Sequence, residues 1–315
     1  MRIQYSSLDV SSFVSDGKFC IENTYNDYFG QDPQPGTEKQ LTVTIEDFRF
    51  TVHENTPVYI TDEITAVGKL FIFYFGNMYI NRENNFKLVQ IQLQDLINTK
   101  ILERANTDLS LVFCCPDDIQ DALVEMLNSV FSGHHFSLHL YSDNNHEYHG
   151  IHHVWKCAQE NDDPSSVIFY LHSKGITRYH GGDMDWLYSF CHYTVISFWN
   201  YILKILEHMP TIDKVGSSCS KEGYIWHNVF FVRSSYVREL EEPIMTDHRY
   251  YYEQWLGRRR KPGVEYSPTL PEYEMTAENY IFSHSNCFST ISAGKFCNIG
   301  TVRDHSNATI GPRLK

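Results

Sequence analysis

A chain of 315 residues, 42% hydrophobic and 15% aromatic, can hold one large α/β domain with a small appendage, or two modest domains. Its formal net charge of −13 excludes the broad basic face that a phosphate backbone demands, so nucleic acid is not an expected partner. Eight cysteines, at positions 20, 114, 115, 157, 191, 219, 287 and 297, show neither CxxC spacing nor secreted-scaffold density and read as reduced thiols.

The N-terminus "MRIQYSSLDVSSF" lacks the charged-then-apolar build of a signal peptide. The longest apolar helical stretch, Tyr193 to Leu206, is interrupted by Asn200 and Lys204 and falls short of the roughly 20 residues of a membrane span. The expectation is a soluble, cytoplasmic protein without a transmembrane segment, in which the sequon at Asn307 has no role. The one basic run, "GRRRKPG" from Gly257, reads as a solvated loop tip or, alternatively, a phosphate or lipid patch.

Residues 1–65 carry short strand and turn signals and read as a small β-rich accessory segment, with "LTVTI" and "FRFTV" as a hairpin. Then the rhythm changes. Buried strands are predicted at Lys69 to Phe75, Asp108 to Cys115, His135 to Tyr141 and in "SVIFYL", alternating with helices at Phe86 to Leu102, Asp117 to Phe131 and Tyr148 to Asn161. That alternation predicts a mostly parallel sheet with helices on both faces. A long helix follows at Trp186 to His208, then "KVGSSCS", "IWHNVFFVRSSYVREL" and "DHRYYYEQWLGRRR". Residues 66–260 are thus one domain, and 261–315 an aperiodic C-terminal extension packing on it.

Chemistry is expected just past the carboxyl ends of such strands. "FYLHSKGIT" runs from a buried strand straight into His172, Lys174 and Gly175. An imidazole and an ammonium two residues apart suit an anion, most simply the diphosphate of a donor, although a strand end with one solvated lysine has the same spacing. Asp143, with Asn144 and Asn145, forms a donor-side polar cluster after the third strand, or a turn. Asp183 and Asp185 read first as the N-cap and first turn of a helix and, alternatively, as a candidate Mn²⁺ or Mg²⁺ pair. Glu253, among tyrosines and Trp255 and one turn after Arg249, is a candidate general base, or one half of a surface ion pair. Trp226, His227 and Asn228, ahead of an apolar strand, and Arg249 are candidate acceptor-binding residues.

"IFYLHSKGIT", "WHNVFFVRSSYVREL" and "RYYYEQWLG", in this order, resemble glycosyltransferase-like proteins of the GT-A type from bacteria and large DNA viruses. The first run is also similar to the His-Thr-Lys segment of rhamnan-synthesis-F-like enzymes. The resemblance spans about residues 66 to 260 and implies a GT-A-like, Rossmann-like sheet domain that binds a nucleotide sugar, followed by an acceptor half. In most such enzymes an Asp-x-Asp motif ends the fourth strand and holds a divalent metal, where this chain has His172-Ser173-Lys174. The expected function is transfer of a sugar from a nucleotide-diphosphate donor to a glycan or other hydroxyl acceptor, with inversion. A non-catalytic carbohydrate-binding protein on the same fold is the alternative. A nucleotidyltransferase would need a glycine-rich basic loop near the first strand, and "FGNMYINREN" is not one.

Overall fold

The computed structural model describes residues 1–21, 24–30, 32–37, 39–45, 48–53, 58–61, 66–176, 186–263, 275–276, 279–281 and 286–290. Two compact units are built on Met1–Glu63 and on Ile64–Phe288.

In the first unit β1 (Arg2–Tyr5), β2 (Leu8–Asp9), β4 (Gln40–Ile45) and β5 (Phe48–His53) form an antiparallel sheet in the order β2-β1-β4-β5. β3 (Lys18–Ile21) pairs with β6 (Val58–Thr61). The expected hairpin is β4 with β5, in register from Gln40 opposite His53 to Ile45 opposite Phe48. Leu41, Val43 and Ile45 are buried while the residues between them are not, the two-residue period of a half-buried strand. The short helix α1 (Tyr25–Phe29) adds Tyr25 and Phe29 against Tyr5, with ring centroids 5.6 and 5.1 Å away.

The second unit holds a seven-stranded sheet flanked by helices. Its strands are β7 (Leu70–Asn77), β8 (Thr107–Cys114), β9 (Ser137–Tyr141), β10 (Val167–His172), β11 (Lys214–Gly216), β12 (Phe230–Arg233) and β13 (Cys287–Ser289), in the order β13-β11-β12-β10-β7-β8-β9. β7 pairs in parallel with β8 and β10, and β8 with β9, whereas β12 runs against both β10 and β11. The parallel strands are near-continuous apolar runs because both faces are covered. α2 (Asn85–Asn98), α3 (Gln120–Val130) and α4 (Tyr148–Glu160) make the three crossovers. α2 packs on α3 and, through Asp95 and Tyr188, meets α5 (Trp186–Thr194). α4 lies in another core with α7 (Ser234–Val237) and α8 (Arg249–Gln254), where Ile151, Val154 and Ala158 meet Tyr236, Tyr251 and Tyr252. Winding therefore reverses between β7 and β10, which makes their carboxyl ends the topological switch point.

Two expectations are corrected. The long helix from Trp186 to His208 is broken into α5, a 3₁₀ turn at Ile196–Phe198 and α6 (Trp199–His208). Thr194 bonds its hydroxyl back to Phe190 O at 2.7 Å, and Val195 leaves helical geometry, so a β-branched run ends the helix. "GRRRKPG" is not a solvated tip. The Arg258 guanidinium is buried, 3.1 Å from Glu241 Oε1 and 4.3 Å from the Tyr251 ring centroid, while Arg260 Nε meets Glu241 Oε2 at 2.6 Å and Arg259 pairs with Glu239. The run answers the acidic "ELEE" segment, which no spacing rule reveals.

The seven described cysteines form no disulfide; Cys297 and the sequon at Asn307 lie outside the described residues. Among the described residues no helix is long and apolar enough to cross a membrane.

Candidate functional site

At the switch point, β10 ends at His172 and the chain turns through Ser173 to Ile176, with Ile176 N bonded to Ser173 O at 3.3 Å. Gly175 takes φ +85°, the left-handed geometry that a side chain resists at the third position of a turn. The turn is anchored on both sides: Ser173 N donates to Phe75 O at 2.8 Å, Asn77 N donates to Ser173 Oγ at 3.3 Å, and Gln92 Nε2 of α2 donates to Lys174 O at 2.8 Å. Among the described residues the Lys174 ammonium has no ion-pair partner.

His172 is engaged at both ring nitrogens. Nδ1 lies 3.2 Å from Glu147 Oε1 and Nε2 lies 3.2 Å from the carbonyl oxygen of His227. A carbonyl and a carboxylate only accept, so the geometry is satisfied by an imidazolium paired with Glu147. Both side chains are mostly buried, 11% and 16% exposed, so the pair is little screened by solvent. The other oxygen of Glu147 accepts from Asn228 Nδ2 at 2.8 Å and from the Tyr170 hydroxyl at 3.2 Å. Three donors and the N-terminus of α4 favour the carboxylate form. Burial, then the charge of Glu147, push the Tyr170 hydroxyl far above its usual range, so it stays a donor. Gly150 makes room for it: a Cβ there would stand 2.9 Å from the Tyr170 hydroxyl and 2.8 Å from Phe75 Cβ.

The segment that supplies these contacts is strained. His227 and Asn228 both have positive φ, +74° and +52°, each costing on the order of 1–2 kcal/mol for an L-residue, less for Asn. The strain is held by the His227 carbonyl on His172 and by the Asn228 amide, which also donates to Tyr252 O of α8 at 3.0 Å.

The other predicted residues surround this knot. Asp143 is partly exposed, with Oδ1 2.8 Å from His149 Nε2 of α4 and Oδ2 accepting from Asn145. His149 stacks on Tyr141, centroids 3.6 Å apart; burial pulls its basicity down and Asp143 pulls it back up. Trp226 is exposed, its ring 5.1 Å from that of Tyr224. Burial first, then the charges of Glu222 and of Glu253 on α8, push the Tyr224 hydroxyl up to about 12. Arg249 opens α8, with its side chain outside the described residues. Asp183 and Asp185 also lie outside them.

Sequence reasoning missed Glu147 and Asn77. Asn77, the last residue of β7, donates to Asn144 Oδ1 at 2.7 Å and accepts from Tyr79 N at 3.1 Å, joining the loops after β7, β9 and β10. Its only signal is a polar residue closing an apolar run. Cys114 and Cys115 at the end of β8 are pushed up to about 12 and about 11 by burial, so thiolate chemistry is not available to the crevice.

The end of β10 does not fit a hard divalent cation. Such ions take oxygen ligands, whereas His172 offers two engaged N–H groups and Lys174 an ammonium. Among the described residues no group of three or more His, Cys, Asp or Glu side chains is placed to hold a metal ion.

Comparison of the sequence with protein-family models and with curated proteins finds no match. Among solved structures the chain is similar to a mannosyltransferase from Pyrobaculum calidifontis in complex with GDP-Man and Mn²⁺, at 9% identity and a TM-score of 0.36, covering 62% of this chain and 54% of that one. It is also similar to a putative nucleotide-diphospho-sugar transferase from Desulfovibrio desulfuricans G20, at 13% identity and a TM-score of 0.30, covering 53% and 64%. The chain thus spans about half to two thirds of the length of these two solved chains. Superpositions this loose say nothing of what this chain binds.

Proposed function

We propose that the chain is a glycosyltransferase that moves a sugar from a nucleotide-diphosphate donor to a hydroxyl of a glycan acceptor. The observation that carries this reading is the anchored turn at the switch point, which ends a buried parallel strand and holds Lys174 without an ion-pair partner among the described residues. Because Glu147 compensates His172, the net positive charge that meets the diphosphate is that of Lys174 first. Asp143 and its loop belong to the donor side, and Trp226, His227, Asn228 and Arg249 to the acceptor side.

In this reading the acceptor oxygen attacks the anomeric carbon as the bond from that carbon to the phosphate oxygen breaks. The hydroxyl proton passes to Glu253, and the electron pair leaves with the diphosphate, whose charge Lys174 offsets. One base and one displacement give inversion, on a hexosyl or pentosyl donor. Asp183 and Asp185 are the residues that would hold a Mn²⁺ or Mg²⁺ ion, which would share in offsetting the diphosphate charge. The test is release of nucleoside diphosphate from a panel of nucleotide sugars by the parent and by Glu253→Gln. Slow hydrolysis by the parent, lowered about 10²- to 10⁴-fold in the variant with donor binding kept, supports the assignment. Binding of glycans with no turnover of any donor favours a carbohydrate-binding protein instead.

A further inference from the structure

The Glu147 carboxylate faces His172 with one oxygen and Asn228 with the other, and these two residues belong to different elements at the switch point, the end of β10 and the 3₁₀ turn before β12. His172 ends β10; Asn228 precedes β12 and shares its left-handed backbone with His227, whose carbonyl returns to His172. The result is a closed circuit: Glu147 to His172, His172 to His227 O, and Asn228 back to Glu147. Each link is a partly buried hydrogen bond or ion pair, and each lies between elements distant in sequence.

We infer that Glu147 is the positioning residue of this crevice: it keeps His172 doubly protonated and, through His172 and Asn228, holds the strained 227–228 segment against the end of β10. The inference rests on the transferase reading only for what the crevice binds. In that reading the circuit fixes the donor-side turn relative to the acceptor-side segment, so that neither loop has to be ordered when substrates arrive. Glu147 itself touches no reacting atom in this account.

Around the pair stand Tyr170 and Lys174 of the same strand and turn, Cys114 of β8, His146 ahead of α4, His227, and Tyr252 of α8. A bulk titration would mix these groups, so the test reads His172 alone. The whole chain, labelled with ¹⁵N in its histidine rings, is examined by long-range ¹H–¹⁵N correlation at pH 7.5, where an unassisted imidazole of pKa near ~6.5 is mostly neutral. The His172 ring is the one absent from His172→Asn. The expected result is two protonated nitrogens in the parent, and in Glu147→Gln a neutral ring in which Nδ1 has lost its proton while Nε2 still donates to His227 O. A neutral His172 in the parent overturns the inference, as does an unchanged imidazolium in Glu147→Gln. If Glu147→Gln does not fold, the parent spectrum decides. No nucleotide is added, so a chain that binds no nucleotide sugar leaves this test intact, and failure here leaves the transferase reading to its own assay.

Discussion

The side-chain amide of Asn77 donates to the side-chain carbonyl of Asn144 across 2.7 Å, although 67 residues separate them. Asn77 is buried at the end of β7, and its own oxygen caps Tyr79 N at 3.1 Å. Asn77→Ala therefore removes two hydrogen bonds and leaves the half-buried Tyr79 N–H without its partner, a loss of about 1–2 kcal/mol in unfolding free energy. Urea denaturation of parent and variant measures it. A change below about 0.5 kcal/mol would show that the loops after β7 and β9 are held by other contacts.

The left-handed backbone at His227 separates two substitutions that remove the same side chain. His227→Gly relieves the positive φ while adding freedom to the unfolded chain, so its net effect on stability stays within about 1 kcal/mol. His227→Val places a β-branched residue at φ +74° and is expected to cost at least about 1–2 kcal/mol more than glycine. Equal stabilities in the two variants would contradict the geometry of the segment.

Acid stability is expected to depend on His153. Burial first, then neighbouring His139, His152, His149 and Lys156, push its basicity down to about 4, while Nε2 sits 2.8 Å from the Tyr141 hydroxyl. The unfolded chain, with the ordinary value near ~6.5, binds more protons than the folded one between those two values. Stability from this group is thus fully present above about 6.5 and is lost as the pH falls toward about 4. Thermal melts at intervals from pH 7 to pH 5 should show a decline that is shallower in His153→Gln. Parallel declines in the two proteins would remove His153 as its source.

The parallel strands were legible because strands buried on both faces read as continuous apolar runs, and the hairpin β4–β5 because one buried face writes a two-residue alternation. The carboxyl end of β10 was legible for the same reason: a polar triplet after such a run has nowhere to sit but the crevice. Its chemistry was not. His172 looks like half of a cationic pair in sequence, and only the fold supplies Glu147, whose partners Tyr170 and Asn228 lie 23 and 81 residues away. In "DNNHEYHG" that glutamate is an ordinary acid at a helix start. The break after Thr194 was missed because apolar periodicity continues across it, while the hydroxyl that ends α5 bonds locally.

The turn after β10 is proposed to meet a diphosphate through Lys174, a contact that calorimetry with uridine, guanosine and thymidine diphosphates in the presence of chelator reads without interference from metal. The parent is expected to bind at least one of them without metal, more weakly at high salt, and Lys174→Ala to weaken binding about ten- to a hundred-fold, the scale of a charge-assisted hydrogen bond of about 1.5–3 kcal/mol. Binding that requires Mn²⁺ and ignores Lys174 would contradict the role given to the turn, and a parent that binds no nucleoside diphosphate under any condition would contradict the transferase itself.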